Sequence, residues 1–399
     1  MEHAKFKLAI ALFLGFLFIS CTPNENLNID QPVKEQDLTT EVKDTYIVLL
    51  ENQLSNARTK TAPVDFAQRQ IDMRIQAESF VQEFKIPTTM IDRVYGGVVN
   101  GFTVKISDQK TLEALKADDR VFSIEKDEVF LLDNTESTII NSVSTQTTPW
   151  GITRVGGALT YAGTNVAYII DSGIDLNHPD LNVDETKGYN IFKFGIDSRT
   201  LDDTNGHGTH VAGTVAAIDN NIGVVGVAAG ASVIPVKVVT YYGGGTASGI
   251  IEGVNFVGTN GQSGDVANMS LGIPTNASLD RAVKVAAAKG IKFVLAAGNE
   301  SQNTSNVSPA RADGTNVYTI SAIDSTDAFA YFSNFGASVD WAAPGVSILS
   351  TTINGNYGLN SGTSMAAPHA AGVLLLGAPR ASGNVKNDPD DSTDVIISR

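Results

Sequence analysis

Cysteine is nearly absent from this 399-residue chain: the one residue, Cys21, leaves no intramolecular disulfide and no thiolate zinc cluster to consider. Positive charge is scarce as well. With 28 Lys and Arg against 43 Asp and Glu, the formal charge is −15. Such a surface repels phosphate backbones and acidic lipid headgroups, so neither nucleic acid nor an anionic membrane surface is expected as a partner. The N-terminal apolar run, residues 8–19, is too short to cross a bilayer comfortably, and nothing suggests a multispan membrane protein. Yet 42% of residues are hydrophobic, which is enough to bury a large core and excludes wholesale disorder. The length suggests two or three domains.

The apolar run follows Lys5 and Lys7 and ends in Phe18-Ile19-Ser20-Cys21, the layout of an export signal. Its ending resembles a bacterial lipoprotein box, in which a small residue precedes the lipidated cysteine. Lipidation at Cys21 is the favoured reading, beside plain cleavage and an uncleaved anchor; all three place the protein outside the cytoplasm. Residues 1–21 are thus assigned to the signal. Residues 22–44 are polar and aperiodic and read as a flexible tether.

From Thr45 the pattern changes. A strand is expected at 45–50 and a long helix at 65–84, where Phe66, Met73, Ala77, Phe80, Val81 and Phe84 form one apolar stripe. Strands at 93–99 and 102–106 flank Asn100-Gly101, a strong hairpin signal; a short helix at 112–116 and a strand at 121–125 follow. The order β-α-β-β-α-β is the ferredoxin-like arrangement, a small α+β domain over 45–130. Residues 131–148, rich in Thr, Ser and Asn, read as a linker open to proteolysis. In 149–399, apolar runs at 166–170, 233–239, 266–270, 293–297 and 317–322 alternate with helical stretches at 209–217, 247–257, 279–289 and 364–376. That alternation predicts an α/β fold, a mostly parallel, doubly wound sheet with helices on both faces.

Three segments fall where an open α/β sheet places its chemistry, at strand ends and helix starts. Asp171-Ser172-Gly173 ends a strand. Asn205-Gly206-His207-Gly208 opens a helix, with glycines that let other groups approach the imidazole. Gly362-Thr363-Ser364 opens another, where helix N–H groups beside the hydroxyl would stabilise an oxyanion. Any one of these is commonplace, since serines cap helices and aspartates at strand ends are usually solvated. The order Asp, His, Ser is that of one of the three known triad layouts.

These segments, with His178-Pro179-Asp180-Leu181, His207 to Gly213 and Gly362 to His369, resemble the subtilisin family of serine proteases over about residues 147–376. The likeness is nearest the proteinase K branch, and Pro149-Trp150-Gly151-Ile152 resembles the start of its mature enzymes. Residues 45–129 resemble the inhibitory propeptide of such proteases. The resemblance implies a subtilisin-like fold and a triad of nucleophile Ser364, base His207 and orienting Asp171. It further implies Asn299, in Ala296-Ala297-Gly298-Asn299, as a side-chain oxyanion donor. It makes Ser270, Leu271 and Gly272 with Ala296, Ala297 and Gly298 the walls of the specificity pocket. These are uncharged, so apolar or aromatic residues are expected before the scissile bond. Gly243 and Gly244 would lie on the edge where an extended substrate pairs as an added strand, although a mobile loop reads equally well. Protein or peptide substrates and the chain's own propeptide are the implied partners, and a monomer is expected.

No cofactor is implied for the chemistry, but the family suggests structural calcium, with Asp340 as carboxylate ligand beside carbonyls near Val317. A solvated aspartate is the other reading. His207 and His210 are spaced like a zinc pair but lack a third ligand, and His178, His210 and His369 read as structural. Asp388, Asp390, Asp391 and Asp394 lack the pattern of an EF-hand loop and read as solvated charge. The helices that often follow the Ser364 helix in relatives, and any C-terminal binding domain, are expected to be missing. A silent peptide-binding protein on the same fold is the competing function; it would gain nothing from retaining Asp171, His207, Ser364 and Asn299 together.

Overall fold

The computed structural model describes residues 42–51, 65–132, 138–140, 145–390 and 392–399. The expected signal with Cys21, the tether up to residue 41, much of the linker and Asp391 lie outside the described residues.

The N-terminal body runs β1 (Thr45–Leu50), α1 (Phe66–Glu83), β2 (Ile91–Gly96), β3 (Asn100–Lys105), α2 (Gln109–Lys116) and β4 (Val121–Lys126). Its strands form one antiparallel sheet ordered β2-β3-β1-β4, the ferredoxin-like arrangement. Asp65 and Asp108 start the helices by accepting from backbone N–H groups of the first turn, at 2.7 Å from Gln68 and 2.9 Å from Thr111. The hairpin departs from the sequence expectation. Asn100 and Gly101 lie inside β3, opposite Gly96 and Tyr95, and the chain turns through Gly97-Val98-Val99. The reason is tertiary: Val98 and Val99 N–H both donate to Asn255 Oδ1, at 2.7 and 3.2 Å. Two buried donors satisfied by another body outweigh a local turn preference.

A short strand β5 (Val129–Leu131) follows the N-terminal body, and the second body supplies β6 (Thr138–Ile140), β7 (Ala167–Asp171), β8 (Tyr189–Asn190), α3 (His207–Ala216), β9 (Val233–Lys237), β10 (Gly244–Thr246), α4 (Ala247–Asn260) and β11 (Val266–Met269). It continues with α5 (Ala277–Ala287), β12 (Lys292–Ala296), β13 (Val317–Ile323), β14 (Val339–Pro344), β15 (Ile348–Thr352), β16 (Asn356–Asn360), α6 (Thr363–Leu376), β17 (Arg380–Asn384) and β18 (Val395–Ser398). Nine of these strands form a sheet ordered β17-β18-β14-β13-β12-β11-β7-β9-β8, parallel except for β17. Both faces are covered, so β7 is apolar throughout until Asp171: Tyr168 and Ile170 enter the core with α4 and α5, Ala167 and Ile169 the core with α3 and α6. Strand order reverses at β7, which opens the crevice at its C-terminal end.

The two bodies share a core. Period-2 alternation sends Ile47 and Leu49 of β1 into the α4/α5 core of the large sheet, and Val48 and Leu50 against α1. Polar contacts fix the docking. Glu125 accepts from Ala277 and Ser278 N–H at the start of α5 (2.8 and 2.7 Å), Asp127 from Ser248 N–H at the start of α4 (2.9 Å). Arg93 donates to Glu252 at 2.6 Å and to the Ile191 carbonyl at 3.1 Å.

The tail corrects one expectation. Asp394 is buried, not solvated: the Ser321 hydroxyl donates to its carboxylate, and its N–H donates to Asp388 at 2.7 Å. Burial, with Asp388, Asp390 and Asp340 nearby, pushes its carboxyl up to about 7. It leads into β18, which extends the sheet beside β14.

Candidate active site

Asp171 ends β7 fully buried, its Oδ1 accepting from Ser172 N–H at 2.7 Å. His207 opens α3, and its Nδ1 lies 2.8 and 2.9 Å from the two Asp171 oxygens. Neighbouring glycines make this approach feasible: Gly206 has φ 103°, and a Cβ on Gly208 would strike the Gly173 carbonyl. The loop before His207 is organised by Asp203, which the sequence reading missed. Asp203 accepts from Asn205 and Gly206 N–H and the Ser172 hydroxyl, each at 2.9 Å, and from Thr209 N–H and Oγ1 at 2.9 and 2.7 Å. An aspartate just ahead of a helix start is the signal that would have found it.

Ser364 sits in the first turn of α6. Its Oγ donates to the Ser270 carbonyl at 3.2 Å, while the Ser270 hydroxyl donates to the Ser364 carbonyl at 2.8 Å. Asn299 lies alongside. Its Oδ1 accepts from Thr363 N–H (2.8 Å) and Oγ1 (3.0 Å), and the Thr363 Oγ1 accepts from Gly298 N–H at 3.0 Å. The carbonyl end of the Asn299 amide therefore faces Thr363, and the amide as a whole adjoins Gly362.

Ser270, Leu271 and Gly272 follow β11, and Ala296, Ala297 and Gly298 end and follow β12, so the two expected pocket walls come from adjacent strands. A residue outside both segments adds charge. The Glu300 carboxylate accepts from Asn334 Nδ2 at 2.6 Å and stands close behind Gly298. On the other side, β10 pairs antiparallel with β5 (Gly244 opposite Leu131, Gly245 opposite Phe130), and Leu132 N–H donates to the Gly243 carbonyl at 2.8 Å.

The other described histidines are structural. His210 Nε2 reaches the Ile348 and Gly358 carbonyls, both at 3.1 Å, tying α3 to the β15/β16 hairpin; His178 reaches Asn356, and His369 bonds Met365. Burial holds His210 and His369 at about 4, hence neutral at pH 7. Among the described residues no group of three or more His, Cys, Asp or Glu is gathered to hold a metal. Asp340 lies on β14, with Thr319 N–H donating to its Oδ2 at 2.8 Å, and Val317 begins β13. Desolvation and Asp313 push the Asp340 carboxyl up to about 6.

The Subtilase family model matches residues 162–383, and the Peptidase inhibitor I9 model residues 45–133. This chain belongs to the subtilase family. An alkaline serine exoprotease A of Vibrio alginolyticus is 35% identical over 90% of this chain and 64% of its own length. The subtilisin-like serine protease AsES of Sarocladium strictum is 38% identical over 85% of this chain and 80% of its own. Subtilisin E of Bacillus subtilis is 41% identical over 67% and 68%. In structure the chain resembles a cold adapted subtilisin-like serine proteinase, with TM-score 0.52 and 39% identity over 57% of this chain and 83% of that one. This subtilase is a serine endopeptidase preceded by an I9-type inhibitory domain.

Proposed function

We propose that this subtilase is made as a self-processing zymogen outside the cytoplasm and, once cut, hydrolyses peptide bonds through Asp171, His207 and Ser364. The course of the chain carries the reading. Residues 129–132 lie as an added strand on β10, and residues 138–140 pair with β16, the strand that precedes the Ser364 helix. The described stretches on either side of residues 133–137 thus both pair with strands of the catalytic body, and the bond cut in maturation falls between Leu132 and Thr138.

The His207 contact with Asp171 through Nδ1 supports a proton at Nδ1 and leaves Nε2 as the base. The Ser364 hydroxyl turns from the Ser270 carbonyl to Nε2, gives up its proton and attacks the carbonyl carbon. Asn299 Nδ2 and the Ser364 N–H stabilise the oxyanion, His207 returns the proton to the leaving amine, and water hydrolyses the acyl-enzyme. The walls at Ser270 to Gly272 and Ala296 to Gly298 carry no charge of their own, and the Glu300 carboxylate behind Gly298 is tied to Asn334, so apolar or aromatic residues are favoured before the bond. Intact masses of residues 22–399, as wild type and as Ser364→Ala, test the reading. Only the wild type is expected to split, between residues 132 and 138; splitting of both at equal rate would remove Ser364 as nucleophile.

Calcium is proposed as a structural ion. Asp340 offers one desolvated carboxylate with Oδ1 left for a cation, and main-chain carbonyls near Val317 would complete an oxygen-only set suited to a hard ion. Asp180 fits the same chemistry. It is fully buried, its proton affinity is raised by burial, and Asn220 Nδ2 (2.8 Å), Val224 N–H (3.0 Å) and the Tyr357 hydroxyl are its neutral donors. Nearby, Ile218 N–H donates to the Asp180 main-chain carbonyl at 3.0 Å and the Gln146 side-chain amide donates to the Ile218 carbonyl at 3.1 Å. An ion at either place would neutralise a buried carboxylate and stiffen the body. Chelation is expected to lower the thermal midpoint of the Ser364→Ala protein by several degrees, about 1 to 3 kcal/mol at ordinary calcium affinities. An unchanged midpoint would remove calcium from the account.

A further inference from the structure

Beside the start of α3 the chain forms a cavity of about 1090 Å³, the size of a pocket for a small organic ligand. Its lining comes from the segment after β7, the loop ahead of His207, the loop after β9, and the turn between β15 and β16. Asp171, His207, Ser364 and Asn299 do not line it, and neither do the two expected pocket walls.

Three carboxylates line this cavity, those of Asp175, Asp202 and Asp203, with no Lys, Arg or His among the described lining residues. Asp175 is 8% exposed and Asp203 4%, so neither charge is diluted by bulk water. All their hydrogen-bond partners are neutral. Asp175 accepts from Asn177 and Gly355 N–H and Asp202 Oδ1 from Leu176 N–H, each at 3.0 Å, while Asp203 accepts only N–H and hydroxyl groups. Lys237 is buried close by, but its Nζ is committed to the Asp202 carbonyl at 2.9 Å and to Asp197 at 3.5 Å. The α3 N-terminus supplies only about half a positive charge. The wall therefore keeps a net negative field that the protein itself does not neutralise.

Two further features select the ligand. The Thr204 Oγ1 is buried in the lining without a hydrogen-bond partner. Tyr241 and Tyr242 add two half-exposed rings set edge to face, 4.9 Å apart at 79°, and Ile196 and Ile353 supply apolar surface. A bare metal ion makes no use of rings and apolar walls, and no three metal-ligating side chains are gathered among the described residues. An organic cation uses every part: carboxylates for its charge, ring faces for cation–π contact, and apolar side chains for its stem.

We propose that this cavity binds an organic cation, an alkylguanidinium or alkylammonium of the kind that arginine and lysine carry, recognised by Asp202 and the two tyrosines. Asp202 Oδ2 accepts no hydrogen bond from the described residues and is the free acceptor. The ligand is a free cation or a basic side chain of a bound polypeptide, and the chemistry is the same for both. Recognition does not involve Ser364, so it is independent of peptide hydrolysis.

Titration calorimetry on the Ser364→Ala protein, residues 22–399, tests this with n-butylguanidinium as the probe and n-butylurea, similar in shape but neutral, as its blank. The guanidinium is expected to bind with a Kd of about 1 mM or below, and the urea at least about tenfold more weakly. Asp202→Asn keeps the acceptor for Leu176 N–H, and Tyr241→Ala alters a half-exposed side chain; each is expected to weaken the guanidinium about tenfold. The two variants report separately, and thermal midpoints show that each is folded. No saturable binding of the guanidinium, equal binding of the urea, or affinity unchanged in the folded variants would overturn the proposal. Acetyl-Gly-Arg-Gly-amide separates the two sources. Tighter binding than butylguanidinium assigns the cavity to a polypeptide side chain, weaker binding to a free cation, and both results uphold the cation site.

Discussion

Thr363 decides which end of the Asn299 amide can act. Its N–H and hydroxyl both donate to Oδ1, so turning the amide over would set Nδ2 against the Thr363 N–H, and Nδ2 is left as the donor for the proposed oxyanion. A donor fixed in this way costs nothing to reorganise when charge develops, which is where electrostatic catalysis gains most. Asn299→Ala is therefore expected to lower kcat by about 100- to 1,000-fold, the magnitude known for such a donor in a subtilisin, with KM nearly unchanged. Steady-state kinetics on a peptide anilide would check this, and an equal loss falling on KM would move Asn299 from the oxyanion to ground-state binding. The same scale separates His207, the proposed base, from its neighbours. His210 and His369 are desolvated to about 4 and committed to carbonyls, whereas His207 pairs with the Asp171 carboxylate.

Helix starts dominate at the scale of elements, because their N–H groups receive the Glu125 and Asp127 carboxylates that join the two bodies. Asp127 is instructive, since two effects oppose each other there. The α4 N-terminus favours its charge, but burial wins and pushes the carboxyl up to about 6. A raised folded-state value means that stability is fully present below the unfolded value, near 4, and is lost as the pH rises through about 6. Asn keeps the acceptor for Ser248 N–H without the charge. In the Ser364→Ala background, Asp127→Asn is thus expected to match the parent near pH 4 and exceed it by about 1 to 3 kcal/mol above pH 6.5. Thermal unfolding across that range is the measurement, and an Asp127→Asn protein less stable than its parent at pH 7 would show that the helix terminus outweighs desolvation. Element by element, periodicity exposed the β7 run, the α1 stripe and the parallel sheet, because both periods are set within the element itself. The turn at Gly97-Val98-Val99 and the strands β5 and β6 were not legible. Their partners Asn255, β10 and β16 are more than a hundred residues away, and no local pattern encodes them. Glu300 was missed for a similar reason, since only Asn334 folds it back toward Gly298.

Considered as a whole molecule, this subtilase places its expected anchor and its catalytic body on opposite sides of one bond region. The proposed cleavage between Leu132 and Thr138 would separate them covalently but leave a large interface. Ile47, Leu49, Tyr95 and Phe130 share the α4/α5 core, and the 5%-exposed Arg93 side chain is paired with Glu252, which also receives the Tyr189 hydroxyl at 2.7 Å. A cut enzyme therefore stays held to the propeptide, and if Cys21 is the anchor it stays held at the envelope. Release is then governed by the interface, not by the cut. Removing one partner of a buried ion pair costs about 3 to 5 kcal/mol, so Arg93→Ala is expected to hasten the appearance of the cut catalytic body in the medium, while Cys21→Ser sends cut and uncut forms there alike. Pulse-chase fractionation, with the mass of the released form, checks both statements. Release at the wild-type rate from Arg93→Ala would show that the propeptide is destroyed before it can dissociate, and a released form still carrying residue 21 would remove the anchor from the scheme.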